Sequence, residues 1–168
     1  MDVLFQTQSN ELSTTTQKEK LFKDAERQWN TLSTEKGAPG RKVDFEIYKS
    51  ILYNLEIRKV YLDSKLSLEK FSSIVGTNTT YLSNAVNNYF GCNFKRLINS
   101  YRVVRAKELL DGKDCPVNEL FSRCGFASKS VFYVAFRKVV GMTPLQYISQ
   151  SRNPFMIQRC LLYTSDAA

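Results

Sequence analysis

The chain has 168 residues, 43% of them hydrophobic, with 11 Phe and 9 Tyr and a formal net charge of +8; that is enough apolar material for a compact domain with an appendage, and it excludes wholesale disorder. Its cysteines, Cys92, Cys115, Cys124 and Cys160, form no CxxC pair and no histidine accompanies them, so neither a metal site nor a cofactor is expected. No basic-then-apolar leader opens the chain and no run of roughly 18 apolar residues occurs, which predicts a soluble, cytoplasmic protein with reduced thiols and no membrane contact.

Taken in chain order, residues 1–17 are rich in Ser, Thr, Gln and Asn without a sustained period, and are expected to be flexible. Leu21, Phe22, Ala25, Trp29 and Leu32 fall at helical spacing between charges, which predicts a short amphipathic helix over 18–32. Residues 33–42, STEKGAPGRK, carry two Gly and a Pro and read as a linker. Residues 1–42 are thus expected to form a flexible N-terminal arm with one short helix, and the folded domain to occupy 43–152. Within it Asp44 is a candidate N-cap, and Phe45, Tyr48, Ile51, Leu52 and Leu55 mark a helix running to about Tyr61. Ser67 caps a helix over 68–75, Gly76 supplies a turn, and Asn78 caps a helix to about Phe90 that Gly91 ends. Asn93 opens a long helix with Phe94, Leu97, Ile98, Tyr101, Val104 and Leu109 on one side, stopping at Asp111-Gly112. Pro116 stands at the first turn of a short helix to Cys124, Gly125 turns the chain, and Ser128 caps a helix to Val140. Gly141 closes that helix, and Thr143-Pro144 starts a last one through Tyr147 and Ile148. The fold class is all-α.

A shift of 50 positions brings Glu69 onto Glu119, Phe71 onto Phe121, Ser72 onto Ser122, Leu82 onto Phe132, Val86 onto Phe136 and Gly91 onto Gly141. Two copies of one unit are therefore present, and Gly76 and Gly125 miss the shift by one residue, as a one-residue difference in turn length would produce. Each copy is a short helix, a Gly turn and a longer helix apolar on one side, the shape of a helix-turn-helix whose second helix enters a major groove. Two helical hairpins that merely pack together would share this pattern. The charge weighs against that: residues 66–152 hold 12 Lys/Arg against 5 Asp/Glu, whereas 1–65 hold 11 against 10, and a concentrated basic segment points to a polyanion. A connecting helix of about 19 residues is roughly 28 Å long, close to the ~34 Å between successive major-groove faces of one duplex.

Residues 66–152 resemble the DNA-binding domain of the AraC/XylS family of bacterial transcription regulators. The resemblance rests on LSLEKFSSIVGTNTTYLSNAVNNYFGCNF, on YRVVRAKELL and on VNELFSRCGFASKSVFYVAFRKVVGMTPLQY, whose GF turn, F-x-x-x-F-R-K and G-M-T-P-x-x-Y are its most specific parts. It implies two recognition helices joined by a rigid linker helix over 93–111, double-stranded DNA as the partner, and RNA polymerase as the target of recruitment or blocking. Matched position by position, it implies base-reading by Thr79, Thr80, Ser83 and Asn84 in the first recognition helix, and by Lys129, Ser130, Tyr133 and Val134 in the second. Asn84 suits adenine and Lys129 suits guanine, while Val134 offers only apolar contact, so part of the discrimination falls to DNA shape. Asn78, Lys95, Arg96, Arg105, Ser128, Arg137 and Lys138 are the phosphate candidates.

Blander readings stand beside these. Thr79, Thr80, Ser128 and Ser130 lie near helix starts, where such residues are favoured with or without DNA, and the basic pairs fit an ordinary solvated face. Arg102 and Arg152, at matching positions of the two copies, fit bracing of the fold. Without histidine or clustered carboxylates no base-nucleophile pair is evident, so no catalytic residue and no enzymatic role are expected; a helical protein-interaction module that has lost DNA binding is the alternative. Family members usually carry a sensor domain, and residues 1–42 are too short for one; the helix around Trp29 resembles the connector that precedes such domains, so the chain reads as the C-terminal portion of a longer regulator. Residues 153–168 are expected to be a disordered tail, and 160–168, CLLYTSDAA, resemble a translated sequencing adapter rather than native protein.

Overall fold

Helix signals dominate the sequence, and the computed structural model, which describes residues 14–35, 42–112 and 115–151, is helical in every regular element among them. The elements are α1 (Thr14–Glu35), α2 (Lys42–Leu52), a π turn (Tyr53–Ile57), a 3-10 turn (Val60–Leu62), α3 (Leu68–Val75), α4 (Thr79–Phe90), α5 (Phe94–Asp111), α6 (Val117–Arg123), α7 (Lys129–Val140) and α8 (Pro144–Ser151). Among the described residues no helix is long and apolar enough to cross a membrane. Two compact units divide them: one holds the residues up to Ile98 except Leu62–Ser64, and the other holds Leu62–Ser64 and the residues from Asn99 onward. The expected tail, with Arg152 and Cys160, lies outside the described residues, as do residues 1–13 and 36–41.

The first unit is built around aromatic rings. Trp29 of α1 meets Phe45 and Tyr48 of α2 at 5.5 and 5.6 Å between centroids, and Tyr89 of α4 at 4.7 Å. Such tilted pairs combine burial with ring electrostatics. The Tyr48 hydroxyl donates to Gln28 Oε1 at 2.9 Å, and burial pushes its pKa up to about 12. The helix expected over 18–32 thus runs longer, from 14 to 35, because burying Ala25 and Trp29 stabilises flanking Thr and Ser residues whose own propensity is weak. This makes α1 part of the unit's core, a closer attachment than the arm expected for residues 1–42. Ile51, Leu52, Leu55, Phe71, Leu82, Val86, Leu97 and Ile98 complete the core.

Three local expectations are corrected. Asp44 is not an N-cap: α2 already starts at Lys42, and the buried Asp44 carboxylate accepts from the Tyr89 hydroxyl at 3.1 Å. The helix expected to reach Tyr61 stays α-helical only to Leu52, then widens so that Arg58 N–H donates to the Tyr53 carbonyl. Asn54 accounts for the widening, since its side-chain amide donates to the Ser50 carbonyl at 2.8 Å and competes with the main-chain ladder there. On α5 it is Val103, not Val104, that is fully buried. The reason is that α5 serves two cores: Leu97 and Ile98 belong to the first unit, whereas Val103, Ala106 and Leu109 join the second, so no single stripe runs its length.

The second unit packs Val103, Ala106 and Leu109 with Leu120, Cys124, Phe126, Phe132, Ala135 and Phe136. Phe132 lies between Phe126 and Phe136, with centroids 5.3 and 5.6 Å away. Thr143 and Gln146 close a reciprocal capping box at the start of α8, with each side chain accepting from the other's backbone N–H. Further along α8, the Tyr147 hydroxyl donates to Asp111 at the end of α5, 3.0 Å away.

The two copies agree from α4 and α7 onward at the shift of 50: both helices have 12 residues, Asn78 and Ser128 cap them, and Gly91 and Gly141 end them in left-handed conformation. The preceding helices align at 49, where fully buried Phe71 matches fully buried Leu120 and Gly76 matches Gly125. The second copy holds its extra residue in the turn, and Phe126 there is a core residue. Gly76 and Gly125 have φ of +83° and +84°, which side chains with a Cβ adopt only at a cost. A methyl on Gly76 would meet nothing within 4 Å, so Gly76→Ala measures that backbone cost alone. It should lower unfolding stability by about 1–2 kcal/mol, with Gly76→Asn recovering part of the loss; Gly125→Val should cost about 1–3 kcal/mol. Denaturant midpoints equal to that of the parent chain would refute the strained-turn account.

Candidate nucleic-acid interface

A helix of 3.6 residues per turn that buries one stripe must present the opposite one. On α4 the buried stripe is Leu82, Ala85, Val86 and Phe90, and on α7 it is Phe132, Ala135 and Phe136. Thr80 and Asn84 therefore lie at the centre of the outward side of α4, and Ser130 and Val134 at the centre of that of α7; all four are exposed. Val134 is the most open large apolar side chain among them, at 67%. Thr79 and Ser83 flank the first centre and are half-buried. Lys129 and Tyr133 flank the second, Lys129 exposed and Tyr133 half-buried with its ring perpendicular to Phe132. Within each unit the four expected base-reading residues thus share one face.

Caps fix where those faces begin. Asn78 Oδ1 accepts from Tyr81 N–H at 2.8 Å, and Ser128 Oγ accepts from Val131 N–H at 3.3 Å. Both bonds use an oxygen, so the Asn78 amide and the Ser128 hydroxyl hydrogen are not spent on these caps.

The basic candidates divide by surroundings. Lys95 and Arg96 are exposed in the first turn of α5, whose N-cap is Asn93 through a 2.9 Å bond to Arg96 N–H. Cations are disfavoured at the positive end of a helix dipole by about 0.3–1 kcal/mol, and a bound anion would offset that. Lys129 stands in the same unfavourable position at the start of α7, whereas exposed Arg137 and Lys138 occupy its last turn, where the dipole favours them. Arg105 differs from the others: it is only a third exposed and is paired with Glu108 at 3.0 Å, so its charge is already largely matched.

Arg102 is buried. Its guanidinium donates to the Asp63 carbonyl at 2.9 Å and lies 5.5 Å from the Phe126 ring centre. Burial lowers its pKa and nearby Asp63 opposes the shift, so this arginine braces the second unit and does not face solvent. Among the described residues no group of three or more His, Cys, Asp or Glu comes together as a metal site. Burial also pushes the Cys124 thiol up to about 12, which keeps it protonated. Exposed Asn87, one turn beyond Ser83 and Asn84, extends the outward face of α4; the same helical spacing would have nominated it from the sequence.

A helix-turn-helix domain family matches residues 71–150. The chain is 31% identical over 91 residues to the transcriptional activator RhaR of Enterobacter sp. (strain 638), covering 54% of this chain and 32% of that protein. The C-terminal domain of AraT, a response regulator from Geobacillus stearothermophilus, superposes with a TM-score of 0.56 at 28% identity, over 62% of this chain and 84% of that one. The DNA-binding domain of the global transcriptional factor AdpA, solved in complex with a target DNA, shares the fold at a TM-score of 0.57 and 21% identity, over 65% of this chain and 96% of that one. The chain spans less than half the length of the first curated relatives it matches.

The bracing role of Arg102 is testable. Arg102→Met keeps much of the stem but removes a charged donor from a part-buried carbonyl, and should lower stability by about 1.5–3 kcal/mol. An unchanged urea midpoint would show that the bond to Asp63 does not hold the unit together.

Proposed function

We propose that residues 71–150, which match a helix-turn-helix domain family, are a DNA-binding domain of the AraC/XylS type, and that the chain regulates transcription by inserting α4 and α7 into successive major grooves of one duplex. The observation that carries this reading is the pair of equivalent outward faces, one on each 12-residue helix and each opposite a buried apolar stripe. The 18 residues of α5 rise roughly 27 Å at ~1.5 Å each, of the same order as the ~34 Å turn of a duplex.

On this reading Thr80, Asn84, Ser130 and Val134 face the bases directly, with Thr79, Ser83, Lys129 and Tyr133 beside them. Lys129 is the one long cationic reader, suited to guanine, and Asn84 is suited to adenine. Asn78, Ser128, Lys95, Arg96, Arg137 and Lys138 hold the phosphate backbone, and Arg105 contributes less because Glu108 engages it. RNA polymerase is the partner through which such a regulator would act. No catalytic role is assigned.

Neutralising roughly five phosphates should give a slope of about −4 to −5 in log K against log salt. Fluorescence anisotropy with labelled duplex measures it, and no binding even at low salt would favour an interaction module instead. Lys138→Ala should weaken binding to a selected and a scrambled duplex alike and reduce the slope by about one unit. Lys129→Ala should cost about 1–3 kcal/mol on the selected duplex and little on the scrambled one. Equal losses on both duplexes would remove Lys129 from the base-reading set.

A further inference from the structure

Lysine is a flexible point charge with three donors and four rotatable bonds, so on its own it reads a base edge loosely. Lys129 is not left on its own. Its ammonium lies 3.5 Å from Asn118 Oδ1 on α6 and 5.7 Å from the centre of the Tyr133 ring, one turn further along α7. Both interactions are long, at the outer limit of a hydrogen bond and of a cation–π contact. Together they restrict the stem to the side of α7 that faces the groove on the proposed reading. The Tyr133 ring is itself fixed, standing at 90° to the buried Phe132 with centroids 5.7 Å apart.

The fold does not need this cluster. In the first copy, at the shift of 50, Thr79 and Ser83 stand where Lys129 and Tyr133 stand in the second. At the shift of 49 that aligns the preceding helices, Glu69 stands where Asn118 does. The first copy forms the same short helix, left-handed glycine, capped 12-residue helix and terminal glycine with none of the three. Tyr133 also packs against the second unit's core, but packing gives no reason for the exposed Asn118 and Lys129 to gather beside it.

We propose that Asn118 and Tyr133 are positioning residues for Lys129, setting its ammonium for one base edge so that the second unit's discrimination depends on all three side chains. This rests on Lys129 reading a base, as proposed above, and it gives Tyr133 a role exerted through Lys129 instead of by its own contact with DNA. The neutral Asn118 is suited to the task, because its oxygen accepts from the ammonium without cancelling the charge. Arg105, locked to Glu108, shows what a carboxylate in that place would do.

A double-mutant cycle on the full chain separates the possibilities, with affinities read by anisotropy on a selected and a scrambled duplex. Tyr133→Leu should weaken binding to the selected duplex about two- to fivefold, the worth of an exposed cation–π contact, and leave the scrambled duplex unaffected. Tyr133→Phe, which keeps the ring face, should restore the parent affinity. In a Lys129→Ala background Tyr133→Leu should change nothing further. Asn118→Ala, a substitution on the exposed surface of α6, should behave as Tyr133→Leu does, and it tests the proposal independently should Tyr133→Leu unfold the unit. Equal losses from Tyr133→Leu with and without Lys129, or a Tyr133→Phe variant as weak as Tyr133→Leu, would overturn the positioning role while leaving Lys129 a reader. A Lys129→Ala variant that loses equally on both duplexes would overturn the base-reading role itself, and the proposal with it.

Discussion

The two candidate faces depend on one packing constraint, that α4 and α7 each bury a single stripe and so hold the opposite side outward. Leu82, Ala85 and Val86 in one helix and Phe132, Ala135 and Phe136 in the other repeat at i, i+3 and i+4. The interval is short because both helices are bounded: a side-chain cap starts each, and a left-handed glycine stops each 12 residues later. Buried stripe and fixed ends together determine which four side chains stand outward near the N-terminus. A slip of one position would rotate the face by roughly 100° and replace all of them.

The same constraint is met by different means in the two units. In the first, α4 is held by a bed of rings, with Tyr89 against Trp29 of α1 and donating to Asp44 of α2. In the second, Phe126 in the longer turn packs on Phe132, and Arg102 stacks on Phe126 while gripping the Asp63 carbonyl. The outward faces differ more. That of α4 is hydroxyls and amides without a charge anywhere in the helix, whereas α7 carries Lys129, Arg137 and Lys138. Two copies with one architecture have thus diverged into a neutral and a cationic surface.

Most of this was legible in the sequence because the signals were local. Ser67, Asn78, Asn93, Ser128 and Thr143 accept the bonds their residue types predict for helix starts, and Gly76, Gly91, Gly125 and Gly141 take the left-handed conformation that ends helices. What escaped was set by partners distant in the chain. Asp44 has the composition of a cap, but Tyr89, 45 residues away, claims it. Val103 and Val104 are the same residue type, and only the change of core along α5 decides which is buried. The extension of α1 follows from rings on α2 and α4 that no window around Trp29 contains. On the candidate interface, the shared face of each reading helix followed from periodicity, but the pairing of Arg105 with Glu108 and the grouping of Lys129 with Asn118 did not. Those depend on rotamers, which spacing alone does not specify.

The character of the outward faces also bears on how such a domain would discriminate between sequences. Thr80, Ser130 and Val134 are short side chains at the most exposed points, so contact with a base edge requires the helix backbone itself to come close to the groove floor. Close approach is possible only where groove width and phosphate positions suit the helix, and that makes the duplex's shape part of the recognition. On the proposed reading, Asn78 and Ser128, immediately before these short side chains, would do more than add affinity, because their phosphate contacts would set how deeply each helix enters. Long side chains such as arginine would relax that requirement by reaching across a gap. In the second unit Lys129 has that reach, so on the proposed reading its orientation, rather than its mere presence, would decide what the unit can read.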